Sequence, residues 1–340
     1  MKWIAAAALL LSGCASMVSN ITTHPGHKAP YLALTPGLLS KFHIQDAGPC
    51  QAPCIAFDRG QPWPQAGSGP TPTLQLEIDS DPPRHDQVTA AQSQLTGTAI
   101  LLPGYGESRQ DMLAWAIYFQ SRGFHTLVPD LPGQGATGID DFSFGVRDAS
   151  YLAPWFQAQG TPGPVIVVGH SMGAISATYL AKTIHADGLV LLAPSSPFLE
   201  ATQGAAHFFF PTLSRWLPAS SLGSGLADAL HTMGISNAQT DLRPLLATMT
   251  QPVLVMSASH DGVIADDWPA TLQGPALTQR TFARDNHFTL ALPTQDKRQQ
   301  LDLWLARLEG KPVPVEIHKG ADPGGDKSAG GEDGVNAAAR

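Results

Sequence analysis

A short segment near the middle of the chain places the tightest constraint on its fold. Residues 165–168 are four β-branched residues in a row, which is typical of a buried strand. Gly-x-Ser-x-Gly follows over residues 169–173, and residues 174–182 then predict a helix. Between a strand and a helix, this pattern forms a tight, strained turn that holds the serine hydroxyl above the end of the sheet. The segment therefore predicts an exposed, nucleophilic Ser171, although the five-residue pattern alone also occurs by chance in loops.

A nucleophilic serine needs a general base, and the base needs a carboxylate that orients it. After this kind of turn, the acid and then the histidine follow downstream in the chain. Residues 251–258 predict a buried strand, and Asp261 lies in the loop after it. A polar loop further along carries His287. We therefore expect Ser171 to be the nucleophile, His287 the base and Asp261 the orienting acid.

Other residues compete for these roles. Asp285 and Asp267 are alternative acids, and His260 is an alternative base next to Asp261. His260 precedes the loop that should carry the base, which favours His287. The alternatives stay open at the level of sequence.

Three motifs make the chain resemble the α/β-hydrolase serine hydrolases related to lysophospholipases, monoacylglycerol lipases and carboxylesterases. The Gly-x-Ser-x-Gly turn matches the family's nucleophile turn, residues 130–135 resemble its Asp-x-Pro-Gly-x-Gly loop, and residues 101–108 match its oxyanion loop. The family usually has histidine where this chain has Pro103. The resemblance covers residues 96–308. It implies an α/β fold, with a mainly parallel central sheet, helices on both faces and a lid inserted after the sixth strand.

An acyl-transfer enzyme also needs backbone N–H groups that point at the negative oxygen of its intermediate. The residue after the nucleophile, Met172, supplies one such group, and the loop after the third strand supplies the other. We expect the second to be the N–H of Tyr105, which follows Gly104. Whether the phenol of Tyr105 adds a donor stays open. Gly104 and Gly106 are also consistent with a plain tight turn, which is compatible with this role.

Composition and charge narrow the classes of function. The chain has 340 residues, is 43% hydrophobic and carries a formal net charge of −8, which suits a folded enzyme with a large core. There is no stripe of Lys and Arg and no nucleic-acid motif, so nucleic acid is not an expected partner. No metal or organic cofactor is implied, because only His24 and His27 show close spacing, in an expected linker.

The N-terminus predicts export and lipid attachment. Lys2 precedes an apolar run over residues 4–11, which is short for a membrane span. Residues 11–14, Leu-Ser-Gly-Cys, resemble a bacterial lipobox, in which Cys14 is acylated and becomes the mature N-terminus. We expect residues 1–13 to be a signal peptide and Cys14 to anchor the chain in the outer membrane, facing the periplasm. An ordinary secretory signal is the alternative.

The other two cysteines are close in sequence. Cys50 and Cys54 enclose a short loop, and an oxidising periplasm favours a disulfide between them. Their Cys-x-x-x-Cys spacing argues against a redox site.

The chain divides into an anchor, an extension, a catalytic domain and a tail. Residues 14–72 predict a lipidated tether and N-terminal extension. Residues 73–310 predict the hydrolase domain, with a lid over about 195–250 whose aromatic residues pack onto the core or contact lipid. Residues 311–340 are rich in Pro, Gly, Asp, Lys and Ala and predict a disordered tail.

These features together predict a lipid-anchored serine hydrolase that cleaves carboxylic esters through an acyl-enzyme. A lysophospholipid, a monoacylglycerol or a short acyl ester is the expected substrate, on the strength of the family resemblance. Thioesterase and serine aminopeptidase activities are alternatives on the same fold. A non-catalytic envelope lipoprotein that binds lipid or a partner through the lid is the alternative from another class.

Overall fold

The strands form one large sheet and one small sheet. The structure, a computed structural model, describes residues 15–26, 36–46, 54–63, 73–78, 82–89, 96–212, 219–308 and 335–339. The strands are β1 (Ile44–Asp46), β2 (Phe57–Gly60), β3 (Thr73–Ile78), β4 (Arg84–Thr89), β5 (Gly97–Leu102), β6 (Phe124–Pro129), β7 (Val165–His170), β8 (Gly188–Leu192), β9 (Val253–Ala258), β10 (Leu277–Phe282) and β11 (Val335–Ala339).

Helices lie between most of these strands. The α-helices are α1 (residues 15–23), α2 (Pro36–Lys41), α3 (Leu113–Ser121), α4 (Asp148–Gln157), α5 (Gly173–Ile184), α6 (Phe198–Phe209), α7 (Ala219–Met233), α8 (Leu242–Leu246) and α9 (Gln295–Leu308). Short 3₁₀ turns occur at Arg109–Met112, Asn237–Thr240, Trp268–Thr271 and Thr289–Ala291.

The large sheet has the order β1-β2-β6-β5-β7-β8-β9-β10. The strands from β6 to β10 run parallel to one another, whereas β1 and β2 pair antiparallel at one edge. Every residue of β5, β8 and β9 is buried, because helices cover both faces of the sheet. The predicted fold class is therefore confirmed.

The helical insertion has the predicted position. Along the chain, β8 is the sixth strand of the large sheet, and α6, α7 and α8 lie between β8 and β9. Because the central strands are parallel, the loops after β5, β7, β9 and β10 meet at one edge of the sheet, which is where α/β folds place their ligand sites. These loops carry the predicted site residues.

The large sheet begins earlier in the chain than predicted. β1 and β2 belong to it, so the expected domain boundary at residue 73 differs from the structure. β3 and β4 form a hairpin in the small sheet instead. β1 and β2 span only three and four residues, which is too short for a periodic pattern, and they form because their backbones complete the edge beyond β6.

Five residues of the expected tail, residues 311–340, form a strand in the structure. Val335–Ala339 forms β11, which pairs parallel with β3. A free strand edge presents unpaired N–H and C=O groups, and this short run without Pro or Gly can pair with it through its backbone. The rest of the expected tail lies outside the described residues.

The expected tether after Cys14 is a packed helix. Ala15 and Val18 of α1 are buried, and a Cβ added to Gly225 of α7 would lie 2.6 Å from Val18 Cβ. This close packing buries one side of a helix that the sequence pattern alone leaves ambiguous. Among the described helices, none has the length and apolarity that crossing a bilayer requires.

The predicted modifications of cysteine fall partly outside the described residues. Cys14 and Cys50 both lie outside the described residues. Cys54 is described and is disulfide-bonded. Acylation of Cys14 and the pairing of Cys50 with Cys54 stay predictions.

Candidate active site

Ser171 lies in a strained turn between β7 and α5. Its φ is 52°, in the left-handed region that non-glycine residues rarely adopt. The glycines on both sides allow the turn to close: a Cβ on Gly169 would lie 2.2 Å from the oxygen of Gly173, and one on Gly173 would lie 2.3 Å from the oxygen of Pro103. The Gly-x-Ser-x-Gly spacing is therefore required by the close approach of strand, helix and oxyanion loop.

The structure brings the three predicted catalytic side chains together in one hydrogen-bonded chain. His287 Nε2 lies 2.9 Å from Ser171 Oγ. His287 Nδ1 lies 2.9 and 3.0 Å from the two carboxylate oxygens of Asp261. Asp261 and His287 are buried, at 6% and 4% exposure. This is the geometry in which an imidazole can take the proton of a serine hydroxyl while a carboxylate stabilises the resulting charge.

Backbone hydrogen bonds fix the position of Asp261. Its Oδ1 accepts hydrogen bonds from the N–H groups of Val263 and Ile264, at 3.1 and 2.7 Å. Its carbonyl accepts a hydrogen bond from the N–H of His287 at 3.0 Å. The acid and the base are thus joined through both side chain and backbone, which restricts the imidazole to one orientation.

The alternative residues lie in other environments. Asp285 forms ion pairs with Arg84 at 2.9 Å and with Lys297 at 3.0 Å. Asp267 is exposed at the start of a 3₁₀ turn. The side chain of His260 is 87% exposed. The structure thus places none of these three in the Ser171 hydrogen-bonded chain.

A buried ion pair next to His287, between Glu107 and His170, was not predicted from the sequence. Glu107 Oε2 accepts a hydrogen bond from the N–H of Gly104 at 2.5 Å and lies 3.0 Å from His170 Nδ1. His170 Nε2 lies 2.9 Å from the carbonyl oxygen of His287, to which it can only donate. The pair therefore links the loop after β5, the turn at Ser171 and the backbone of His287.

Both members of this pair have shifted pKa values. Burial alone would lower the pKa of His170, but the charge and hydrogen bond of Glu107 outweigh it and raise that pKa. Burial alone would raise the pKa of Glu107, but the charge and hydrogen bond of His170 outweigh it and lower that pKa. A carboxylate and an imidazolium fit these hydrogen bonds. In sequence, Glu107 follows Gly104 and Gly106 and His170 lies inside the turn at Ser171, but nothing in the sequence links the two residues.

The oxyanion loop is braced by the neighbouring Pro-Gly loop. Gln134 Nε2 donates to the carbonyl of Gly104 at 2.8 Å, and the N–H of Gly106 donates to Gln134 Oε1 at 3.2 Å. Gly104 lies against Ser171, because an added Cβ there would be 3.2 Å from Ser171 Cβ. The residue between the two glycines, Tyr105, is thereby held at a fixed position beside Ser171.

The two amides predicted to bind the oxyanion are both available. Within the described part of the chain, the N–H groups of Tyr105 and Met172 donate to no other protein group. Met172 directly follows the nucleophile and begins α5. Both amides thus satisfy the requirement for donors beside the serine that are not already used.

The phenol of Tyr105 has another partner. Its hydroxyl donates to the carbonyl of Ile21 in α1 at 2.5 Å, and its ring packs against Phe142 with centroids 5.8 Å apart. Burial raises the pKa of Tyr105 to about 12. The side chain of Tyr105 therefore connects α1 to the oxyanion loop. Its backbone N–H remains the group that we expect to donate to the oxyanion.

Aromatic residues of α6 pack against Phe288, the neighbour of His287. The ring of Phe288 lies 5.4 Å from that of His287, and the rings of Phe208 and Phe209 lie 5.6 and 5.9 Å from Phe288. The inserted helices thus contribute apolar surface at the triad.

Comparison with known proteins agrees with this geometry. The model of the alpha/beta hydrolase family matches residues 99–323. The lysophosphatidylserine lipase ABHD12 of Xenopus tropicalis is 28% identical over 150 residues, which cover 42% of this chain and 37% of that protein. The Rattus norvegicus protein of the same name is 26% identical over 168 residues, covering 48% and 40%. The chain thus spans less than half the length of these curated relatives.

Two solved structures share the fold. The Pyrococcus furiosus esterase Pf2001 has a TM-score of 0.55 at 16% identity, covering 84% of this chain and 98% of its own. A putative lipase from Acinetobacter baumannii has a TM-score of 0.50 at 16% identity, covering 80% and 94%. At this level of identity the similarity describes the fold alone.

Proposed function

Because the chain belongs to the alpha/beta hydrolase family, we propose that it is a serine hydrolase that cleaves carboxylic esters of lipid-like substrates. The observation that carries the proposal is the continuous contact from Ser171 Oγ through His287 to Asp261, with both hydrogen bonds at 2.9 Å. A buried series of hydrogen bonds from a carboxylate through an imidazole to a serine activates the serine hydroxyl for acyl transfer.

The chemistry follows from the positions of these groups. Ser171 Oγ attacks the ester carbonyl carbon while His287 Nε2 accepts its proton, and Asp261 stabilises the imidazolium. The N–H groups of Tyr105 and Met172 donate to the oxyanion of the tetrahedral intermediate. The intermediate collapses when His287 gives its proton to the leaving alkoxide oxygen, which produces an acyl-enzyme. Water then attacks with His287 again as the base, and the carboxylic acid leaves.

Apolar surface beside the triad supports a lipid-like acyl group. Phe288 packs on His287 and Phe208 packs on Phe288, and Tyr105 packs on Phe142 beside the oxyanion loop. Two of the curated relatives carry the name lysophosphatidylserine lipase, which favours a lysophospholipid or monoacylglycerol within the ester class.

The test is hydrolysis of p-nitrophenyl esters from acetate to palmitate by the full-length protein in mild detergent. Ser171→Ala should lose turnover and labelling by a fluorophosphonate probe. The matched control is Ser150→Ala, an exposed serine of α4, which should retain both. Equal turnover by wild type and Ser171→Ala would reject the proposal. Faster cleavage of thioesters or of aminoacyl amides than of esters would assign the chemistry to one of the two alternative activities.

We also propose that Cys14 carries a lipid anchor and that the chain faces the periplasm. The Leu-Ser-Gly-Cys sequence over residues 11–14 supports this proposal. Incorporation of alkyne-palmitate in a bacterial host should be lost in Cys14→Ser and kept in Ser16→Ala. Incorporation that survives Cys14→Ser would contradict the anchor without affecting the proposed chemistry.

A further inference from the structure

Exposed apolar side chains are concentrated in two segments. Across the residues that the structure describes, the exposed large hydrophobic side chains belong to α1 and to the end of α6 and the residue after it. They are Met17, Ile21, Phe208, Phe209 and Phe210, each between 43% and 54% exposed. We call these five residues the apolar rim. Exposed apolar surface of this kind typically marks a contact with a membrane or another protein.

Both segments of the apolar rim adjoin the proposed active site. The ring of Phe208 packs 5.6 Å from Phe288, the neighbour of His287. On the other segment, the carbonyl of Ile21 accepts the hydroxyl of Tyr105 in the oxyanion loop. The apolar rim thus contacts Phe288, the neighbour of His287, on one side and Tyr105 of the oxyanion loop on the other.

Helix α1 has its apolar residues on two faces. Ala15, Val18 and Thr22 are buried, at the spacing that forms one face of a helix. Met17 and Ile21 are four residues apart and lie on an exposed face. A surface helix in water normally presents polar or charged residues there, whereas residues 15–23 contain no charged side chain at all.

We propose that the apolar rim docks on a phospholipid bilayer, so that an ester lipid passes from the bilayer to Ser171 without crossing water. This inference rests on the proposed function and on the proposed lipid at Cys14. Residue 15 already belongs to α1, so a lipid on Cys14 would be attached directly next to a residue of that helix. Because each residue extends a chain by less than about 4 Å, the lipid anchor and the start of α1 must lie close together.

The packing of α1 on the rest of the protein fixes how the protein is oriented when Cys14 is held in a bilayer. Val18 lies against Gly225 of α7, and Ile21 is bonded to Tyr105. When residue 14 is held in a bilayer, the apolar rim and the adjoining site therefore face that bilayer. Because α1 carries no cationic side chain, docking depends on apolar burial and should occur on neutral phosphatidylcholine with little dependence on salt.

The first test measures contact with lipid and does not require catalysis. Full-length protein is reconstituted in phosphatidylcholine vesicles that contain a dibrominated lipid, with bimane attached at Phe210→Cys or at Lys182→Cys. Lys182 is exposed near the far end of α5, about 14 Å along that helix from its start beside Ser171. Unsubstituted protein, labelled in parallel, gives the background from native cysteines.

The proposal expects dibrominated lipid to quench bimane at position 210 and to leave bimane at position 182 unquenched. Equal quenching at both positions, or none at position 210, would overturn it. Protection of position 210 from both dibrominated lipid and aqueous iodide would assign the rim to a contact between two copies of the chain, which also overturns it. Each outcome is informative even if the protein hydrolyses no ester.

The second test separates docking from chemistry. Met17→Ser, Ile21→Ser and Phe210→Ser are combined in one variant, and leucine at the same three positions is the matched control that keeps the rim apolar. The serine variant should lose at least about tenfold in hydrolysis of bilayer-embedded monoacylglycerol while cleaving soluble p-nitrophenyl butyrate within about twofold of wild type. The leucine variant should match wild type on both substrates. Parallel losses on both substrates in the serine variant, or full activity on the embedded lipid, would overturn the proposal.

Discussion

Replacing Glu107 with alanine is expected to weaken both folding and catalysis, whereas glutamine at this position should spare most of both. The alanine variant removes the acceptor of the Gly104 N–H and the partner of His170 Nδ1, which lie 2.5 and 3.0 Å from Glu107 Oε2. Both contacts are made by Oε2, so a glutamine with its oxygen at that position can still accept from the Gly104 N–H and from a protonated His170 Nδ1, and only the negative charge is lost. His170 Nε2 still donates to the carbonyl of His287.

The magnitudes follow from burial. His170 is 0% exposed and Glu107 is 5% exposed, and removal of one partner from a buried pair costs about 3–5 kcal/mol. At roughly 2–4 °C per kcal/mol for a domain of this size, the Tm of Glu107→Ala should fall on the order of 10 °C. Because Gly104 positions the Tyr105 amide, kcat should fall by about 100-fold, the cost of losing one oxyanion donor. Glu107→Gln should lose about 1–2 kcal/mol.

The pH dependence separates charge from hydrogen bonding. The pKa of Glu107 is lowered from 4.5, so its stabilising contribution is full above pH 4.5 and is lost as the pH falls through the folded value. The pKa of His170 is raised from 6.5, so its contribution is full below pH 6.5 and is lost as the pH rises through the folded value. The difference in Tm between wild type and Glu107→Gln should therefore be largest between pH 4.5 and pH 6.5.

Thermal melts and ester kinetics of wild type, Glu107→Ala and Glu107→Gln across this pH range test the role of the Glu107–His170 pair. A Glu107→Ala variant with wild-type Tm and kcat would refute the role assigned to the pair. A Glu107→Gln variant as damaged as Glu107→Ala would show that the negative charge itself is required. A difference in Tm that does not vary with pH would show that the pair is not ionised in the folded protein.

The remaining predictions concern packing and buried charge. Gly173→Ala should abolish folding or ester turnover, because its Cβ would lie 2.3 Å from a backbone oxygen, whereas Gly223→Ala, with nothing within 4 Å, should gain about 0.5–1 kcal/mol; urea unfolding compares them. Burial lowers the pKa of Lys297 from 10.5 to about 8 despite its contact with Asp285. Because the unfolded chain then binds the lysine proton more tightly than the folded one, the Tm of the wild type should rise between pH 8 and pH 10.5. Thermal melts of Lys297→Met should lack that rise. Burial raises the pKa of Asp148 from 3.8 to about 6, so Asp148→Asn should be more stable than wild type above pH 6, by up to about 3 kcal/mol, and the gain should disappear below pH 4 in urea unfolding.

The central part of the fold could be predicted because its signals are local. The turn at Ser171 combines a run of β-branched residues, two obligatory glycines and a following helix within about twenty residues of sequence. Asp261 and His287 could be placed because each follows a recognisable strand whose end must reach the same sheet edge. The structure brings both to Ser171 as the sequence predicts.

The parts that sequence reasoning missed depend on distant contacts. Glu107 and His170 are 63 residues apart, and neither shows in sequence that the other is its partner. Helix α4 contains Pro154, which argues against a helix until packing outweighs it. Helix α1 and the edge strands β1 and β2 form because other elements provide a surface for them, so their own short sequences carry no sufficient pattern.

The most direct test of the proposed hydrolase is a comparison of kcat/KM among wild type, Ser171→Ala, His287→Ala and the double variant, on the best p-nitrophenyl ester. Groups that act as one unit give losses that do not add. Each single variant should lose about 10⁴-fold or more, and the double variant should lose little beyond either single one. Losses that multiply in the double variant, or a single variant that keeps wild-type activity, would contradict a shared Ser171–His287 mechanism.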